Sequence, residues 1–539
     1  MEKPPATEGA GTGGRPSLST DRRRLLALAA ASLGAARIPG GGAVAAHAVP
    51  RCGLDVSAEN ALTGTADWRV TRTGAARDIE GFTSRVSVLP GEPVDLHVST
   101  TATGYTVSAF RMGWYGGTRG RLVWRSAPLP GAVQPPAATD TETRMTRADW
   151  RPSARLDTAA WPEGCYLLRL ETSDGRAQRY VPLTIRSAST TGRLVIVNSV
   201  ATWQAYNRWG GADLYKGTSG KKASRSLAVS FDRPYAGGWG SGQFLVYEAP
   251  LVALAERLGL PLAYTTGLDI ARDPRLLLGA AAVISLGHDE YWSPEQRLHV
   301  SEARDTGTNL AVLGANCCYR RIRYESSPIG SHRTVVCYKE DYARDPGYQS
   351  GHPPTNDFRR SPAADAESRL LGVIYDGYPV DAPYVVTHPH HWLLAGTGAR
   401  LGESIPHLVG VEYDRVNTGH PTPRPIEILS HSPVVRKGHR AHANSAYLTL
   451  PGGAGVFATG TMRWVEALDA GEPGGTTHHG LNARAGAFTR VVTENVLRAF
   501  AQGPAGTRRP AADNVAAHYP ARPAKPAKPA SPAAATPAP

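Results

Sequence analysis

Cysteine is scarce in this 539-residue chain. Cys52, Cys165, Cys317, Cys318 and Cys337 are too few and too irregularly spaced for a disulfide scaffold or a zinc ribbon, although a bridge from Cys317 or Cys318 to Cys337 is compatible with an oxidising compartment. Long apolar runs are also missing. No stretch approaches the roughly 18 consecutive apolar residues of a membrane span, so no stable membrane insertion is expected. The net charge is +13, of which residues 1–48 carry +3 and residues 504–539 carry +4. The remaining +6 is spread without a Lys/Arg block, and a nucleic-acid partner is not expected. The chain has no Gly-x-Ser-x-Gly elbow, no Walker loop after a strand and no His-Glu-x-x-His helix, so three common hydrolytic or phosphate-binding designs are excluded.

Glycine (58) and proline (43) together fill about one position in five, which excludes a coiled coil or a helical bundle. Apolar residues at 41% and charged residues at 19% are those of an ordinary globular protein of two to three domains. Paired arginines at Arg22–Arg24 precede an apolar run too short to span a bilayer, and Ala46-His47-Ala48 offers a cleavage point. Residues 1–48 therefore read as a twin-arginine signal segment, implying an exported protein, extracellular or associated with the cell envelope.

Residues 49–190 alternate short half-buried strand patterns with turns, as at Val94–Val98, Tyr105–Phe110, Arg121–Trp124 and Cys165–Leu170. This predicts a β-sandwich, Ig-like or jelly-roll-like. From 191 to 503 the grammar changes to continuous runs at Leu194–Asn198, Ala281–Leu286 and Asn309–Gly314, separated by helical periodicity over Tyr247–Leu258 and Ser293–Arg304. That alternation predicts an α/β domain with a mainly parallel sheet and helices on both faces. Ser326–Arg400 reads as a loop-rich lobe, strands resume at His407–Glu412, Ile426–Leu429 and Gly455–Thr459, and a helix covers Ala487–Phe500. Residues 504–539, with their Pro-Ala-Lys repeats, read as a disordered tail.

In open α/β sheets ligands gather beyond the carboxyl ends of the strands, so the residues following each run carry the chemistry. One such run leads into Gly287-His288-Asp289-Glu290-Tyr291-Trp292, where His288 and Glu290, two apart, can face the same side. The next leads into Gly314-Ala315-Asn316-Cys317-Cys318, where Asn316 can donate to an oxyanion or orient a carbonyl. The first leads into Trp203-Gln204-Ala205-Tyr206-Asn207, rich in aromatic and amide groups. His388, His390 and His391 lack a carboxylate at ligand spacing and read as loop residues. Two readings of these residues are a glycoside hydrolase using Asp289 and Glu290 as an acid/base pair, and a non-catalytic carbohydrate-binding surface protein.

Taken with Arg111-Met112-Gly113-Trp114-Tyr115-Gly116-Gly117, Val409-Gly410-Val411-Glu412-Tyr413-Asp414 and Gly460-Thr461-Met462-Arg463-Trp464, these segments resemble the large (beta) subunit of N,N-dimethylformamidase. The resemblance spans about residues 55–502. It implies a class I glutamine-amidotransferase-like α/β domain and a mononuclear iron, Fe3+, held by two tyrosinates and one glutamate. By motif and relative spacing the glutamate falls on Glu290 and the tyrosines on Tyr206 and Tyr166. His288, Asn316 and Glu412 are then the catalytic candidates, with Glu427 the nearest rival of Glu412. Phenolate and carboxylate are hard oxygen donors suited to ferric iron. The implied substrate is a small amide or other C–N compound, and homo-oligomerisation is left open.

Overall fold

Alternating burial in the first part of the chain folds two largely antiparallel sheets over a shared core. The computed structural model describes residues 53–520 apart from Thr476. The signal segment, Cys52 and the tail from 521 onward lie outside the described residues. One sheet holds β1 (Ile79–Thr83) and β2 (Val94–Thr100), with Ala154–Leu156 on its edge. The other holds β3 (Gly104–Met112), β4 (Gly120–Arg125), β5 (Gly164–Thr172) and β6 (Gln178–Ile185) in the order β6-β5-β3-β4. Leu96, Val98, Val107, Leu168, Leu170 and Leu183 meet in the core between them. Each such side chain contributes about 1.5–3 kcal/mol on burial.

Beyond residue 191, β-branched and aliphatic runs buried on both faces make β7 (Leu194–Asn198), β8 (Leu262–Thr266), β9 (Ala282–Gly287) and β10 (Asn309–Gly314). Between them lie α1 (Val200–Ala205), α2 (Ala249–Arg257) and α3 (Pro294–Asp305). Ser293 caps α3 by accepting the Gln296 N–H, with proline in the first turn, the arrangement expected from Ser-Pro-Glu. After β11 (Ile374–Val385) and β12 (Ser404–Arg415) the chain returns through β13 (Ile426–Arg436), β14 (His439–Thr449), β15 (Gly455–Ala458) and α4 (Ala483–Phe500). The seven-stranded sheet has the order β8-β7-β9-β10-β15-β14-β13, with the first five strands parallel and the last two antiparallel. Its register sets Gly287 opposite Gly314. The chain is thus α/β plus all-β, and no helix among the described residues is long and apolar enough to cross a membrane.

Three expectations are corrected. The segment Ser326–Arg400 is not mainly loop: β11 runs for 12 residues against β12, and three register shifts along the pair blur the alternation that reveals a strand. The tail begins later than residue 504. Asn514 exchanges hydrogen bonds with Ile428 on the edge strand β13 (2.7 and 3.0 Å), Asp513 pairs with Arg424, and Val515 enters the core. Cys317, Cys318 and Cys337 are free and buried, each occupied by its own polar neighbours: Ser285, Arg297 and the Arg321 carbonyl respectively.

The two-sheet region and the α/β region belong to one compact unit. Arg111 on β3 makes a bidentate pair with Glu256 on α2 at 2.7 and 3.0 Å, with no exposure of either side chain. Tyr264 Oη donates to the same carboxylate, and Asn60 Nδ2 does so at 3.0 Å. The Arg-Met-Gly-Trp-Tyr-Gly-Gly segment is therefore a joint between the regions.

Candidate functional site

Strands β7, β9 and β10 are neighbours, so their carboxyl ends open onto one place. The approach is close. A Cβ on Gly287 would stand 2.5 Å from Tyr247 Cβ, and one on Gly314 would stand 2.1 Å from the Gly287 carbonyl oxygen. Only glycines let these strands end side by side, and Gly287 turns the chain at φ +48° to send His288, Asp289 and Glu290 in different directions.

Glu290 is the centre of the cluster. Tyr206, at the carboxyl end of α1, donates its phenol to Glu290 Oε2 at 2.6 Å. Tyr215 donates to both Glu290 oxygens at 2.7 Å, and the two phenol oxygens are 3.0 Å apart. Their rings stack at 4.7 Å. Arg320 Nε lies 3.4 Å from Glu290 Oε1, and Lys339 Nζ stands 3.3 Å above the Tyr215 ring while donating to the Leu214 carbonyl at 2.7 Å. Burial opposes charge on Glu290, but the His288 hydrogen bond and the His288, Arg320 and Lys339 charges outweigh it and hold the carboxyl below its ordinary value. Burial and the Glu290 charge push both phenols well above their ordinary value.

Beside this triad stands a second group of titratable side chains. His288 Nε2 lies 3.5 Å from both Glu290 Oε2 and Glu412 Oε2, and 3.4 Å from the Tyr206 phenol. Burial works against protonation of His288, yet the flanking carboxylates raise its pKa. Burial lifts Glu412 to about 7, countered by His288 and reinforced by Glu290. Asn316 Nδ2 donates to Glu412 Oε2 at 2.7 Å. Asn316 sits at φ +58° on the turn after β10, its N–H bonded to Asp414 Oδ1 at 2.8 Å, which fixes a left-handed conformation that asparagine tolerates. Four polar atoms here are buried without an aligned hydrogen-bond partner: His288 Nδ1, Asn316 Oδ1, Tyr291 Oη and Arg320 Nε. Such atoms cost about 1–3 kcal/mol each when left unsatisfied.

The geometry brings together Tyr206, His288, Glu290, Asn316 and Glu412. Tyr166 is elsewhere. On β5 its side chain shares the core-facing parity of Leu168 and Leu170, stacks on Trp161 at 5.3 Å and donates its hydroxyl to the Pro162 carbonyl at 2.7 Å. The expected convergence of Tyr166 on Glu290 is corrected, and Tyr215 occupies the second phenol position. Sequence reasoning passed over Tyr215 because it lies in an irregular segment. The available signal was Asp213, whose carboxylate accepts the Tyr215 and Lys216 N–H groups at 2.7 and 2.6 Å and so turns the chain back toward Tyr206. Glu427 is occupied by His391 at 3.1 Å, leaving Glu412 as the acid beside His288. Asp289 accepts from Ser285 Oγ at 3.0 Å and diverges from Glu290, so the two do not form an opposed acid pair.

Comparison with curated proteins gives no match. The family model described as N,N-dimethylformamidase beta subunit-like, C-terminal, matches residues 106–479, a span that contains every group of the cluster. The chain belongs to the N,N-dimethylformamidase beta subunit-like family.

Proposed function

We propose that the protein is an exported amidohydrolase that cleaves a small amide or related C–N bond at the Tyr206–Tyr215–Glu290 cluster, with iron as its cofactor. The observation that carries this reading is the convergence of two phenols on one buried carboxylate, with oxygen–oxygen distances of 2.6–3.0 Å. Two phenols and a carboxylate are a hard donor set, and a trivalent cation would match their three negative charges once both phenol protons are displaced. Tyr206, Tyr215 and Glu290 would hold the ion. A ferric ion bound there would supply Lewis acidity toward an amide carbonyl oxygen and toward water. Arg320 and Lys339 favour the ionised forms of the donors beside them.

The remaining groups move protons and orient the substrate. Glu412, whose proton affinity burial raises above that of an ordinary carboxylate, can accept a proton from attacking water and return it to the leaving nitrogen. His288 spans Glu412 and Glu290, so it holds Glu412 in line and compensates its charge. Asn316 Nδ2 fixes the Glu412 carboxyl, and its buried Oδ1 is free to accept from a substrate group. On this reading the two-sheet region is a β-sandwich and the α/β region is glutamine-amidotransferase-like, with Asn316 on the turn after β10 as a further pocket residue. The twin-arginine pattern supports export.

The test is metal analysis of protein grown with iron, together with amine release from a panel of small amides. About one iron per chain with a visible phenolate absorption, and amine release lost in Glu290→Ala, are expected. Iron-free, colourless protein that releases no amine would overturn the proposal.

A further inference from the structure

A second charged cluster lies at the far edge of the sheet. β13 and β14 form a hairpin whose ladder pairs Arg436 directly with His439, leaving Lys437 and Gly438 as a two-residue loop. Both loop residues have positive φ (+48° and +81°), the type I′ geometry that matches strand twist and makes a rigid tip. The tip reads Arg436-Lys437-Gly438-His439-Arg440, without an acidic residue.

Against this tip packs the end of β12, and between them is a cleft of about 350 Å³ lined by Asp376, Arg415, Arg436, His439, Arg440 and His442. Asp376 is its only carboxylate. It is already engaged by Arg415 Nε at 3.1 Å and by the Tyr413 hydroxyl at 2.7 Å. Arg415 Nε is buried, and its contact with Asp376 is not aligned as a hydrogen bond. Among the described residues, neither Arg436 nor Arg440 has a side-chain hydrogen bond or ion pair. Three guanidinium groups against one carboxylate leave two positive charges in the cleft without a carboxylate partner.

We propose that this cleft binds a small soluble ligand bearing phosphate groups. Guanidinium groups present paired donors that match tetrahedral oxyanions, and a dianionic group would neutralise the two free charges. A cleft of this size holds such a group with part of the molecule that bears it. The site is distinct from the Glu290 cluster: no residue of that cluster lines it.

The test is calorimetric titration of the full chain with inorganic pyrophosphate, paired with thermal denaturation. The expected result is one site per chain and a raised Tm, with affinity at least tenfold weaker in the double variant R436Q/R440Q and at 0.5 M NaCl. Iron content and amine release should be unchanged in that variant, which separates loss of this site from failure of the amidohydrolase reading. The proposal is overturned if pyrophosphate produces neither heat nor a Tm shift at low salt, or if R436Q/R440Q binds it as wild type does. Cosedimentation with phosphatidylglycerol vesicles in place of pyrophosphate binding would likewise overturn it.

Discussion

Two buried ionic clusters in this protein use the same residue types to opposite ends. At the joint, Arg111 donates through Nε to the Glu163 carbonyl, through Nη1 to Tyr115 and Glu256 and through Nη2 to Glu256, while Tyr264 and Asn60 complete the Glu256 carboxylate. No side-chain atom of these residues is left buried and unsatisfied. At the Glu290 cluster, two phenols crowd one carboxylate and four neighbouring atoms lack aligned partners. A saturated cluster can only hold a fold together. An unsaturated one carries a cost in stability that the rest of the core must offset, and on the proposed function it keeps capacity for a cation and a substrate.

The contrast is sharpest in activity. Glu412→Gln, which removes the proton acceptor but preserves shape and the Asn316 contact, should lower kcat by about a hundredfold to ten-thousandfold with iron content and Tm nearly unchanged. An unchanged kcat would assign the proton transfer elsewhere. At the joint the order reverses. Glu256→Ala strands the Arg111 charge and should cost about 3–5 kcal/mol in denaturant unfolding, and Tm should fall.

Tyrosine replacements probe the difference between position and type. Tyr215→Phe should bind iron at least about tenfold more weakly, the scale seen when even indirect supports of a metal site are lost, and should weaken the visible band. Tyr166→Phe should leave metal and colour intact and cost only about 1 kcal/mol for its hydroxyl bond. Equal effects would erase the distinction drawn here.

The smallest effect is a pH slope. Burial lifts the Glu248 carboxyl to about 8, despite bonds from the Ser199 N–H at 3.0 Å, Trp203 Nε1 at 2.9 Å and Asn198 Nδ2. The folded chain therefore retains a proton that the unfolded chain releases near its ordinary 4.5. Its contribution to stability is complete below that value and declines as the pH rises to about 8. Glu248→Gln should flatten this part of a pH series of unfolding midpoints.

Much of the architecture was legible because it is written locally. The runs Leu194–Asn198 and Asn309–Gly314 are strands buried on both faces, and four consecutive apolar side chains, Leu194–Val197 and Leu310–Leu313, suit few other states. Leu262–Thr266 was missed because its tyrosine and threonines blur the same signal, and β11 because its register shifts break alternation. His288 and Glu290 could be placed at a strand's end from their sequence neighbours alone. Tyr166 could not be judged that way. A motif supplies a tyrosine, but strand parity decides which face it takes, and on β5 that face is the core.

The sequence by itself determined the α/β plus all-β composition, the place of His288, Glu290 and Asn316 beyond the carboxyl ends of their strands, and the family, since each follows from short-range pattern. Tertiary structure alone decided that Tyr215 joins Tyr206 at Glu290, that Glu412 rather than Glu427 stands beside His288, and that the cysteines stay apart. Those outcomes depend on which distant segments share a few ångströms of buried space, and no local periodicity carries that information.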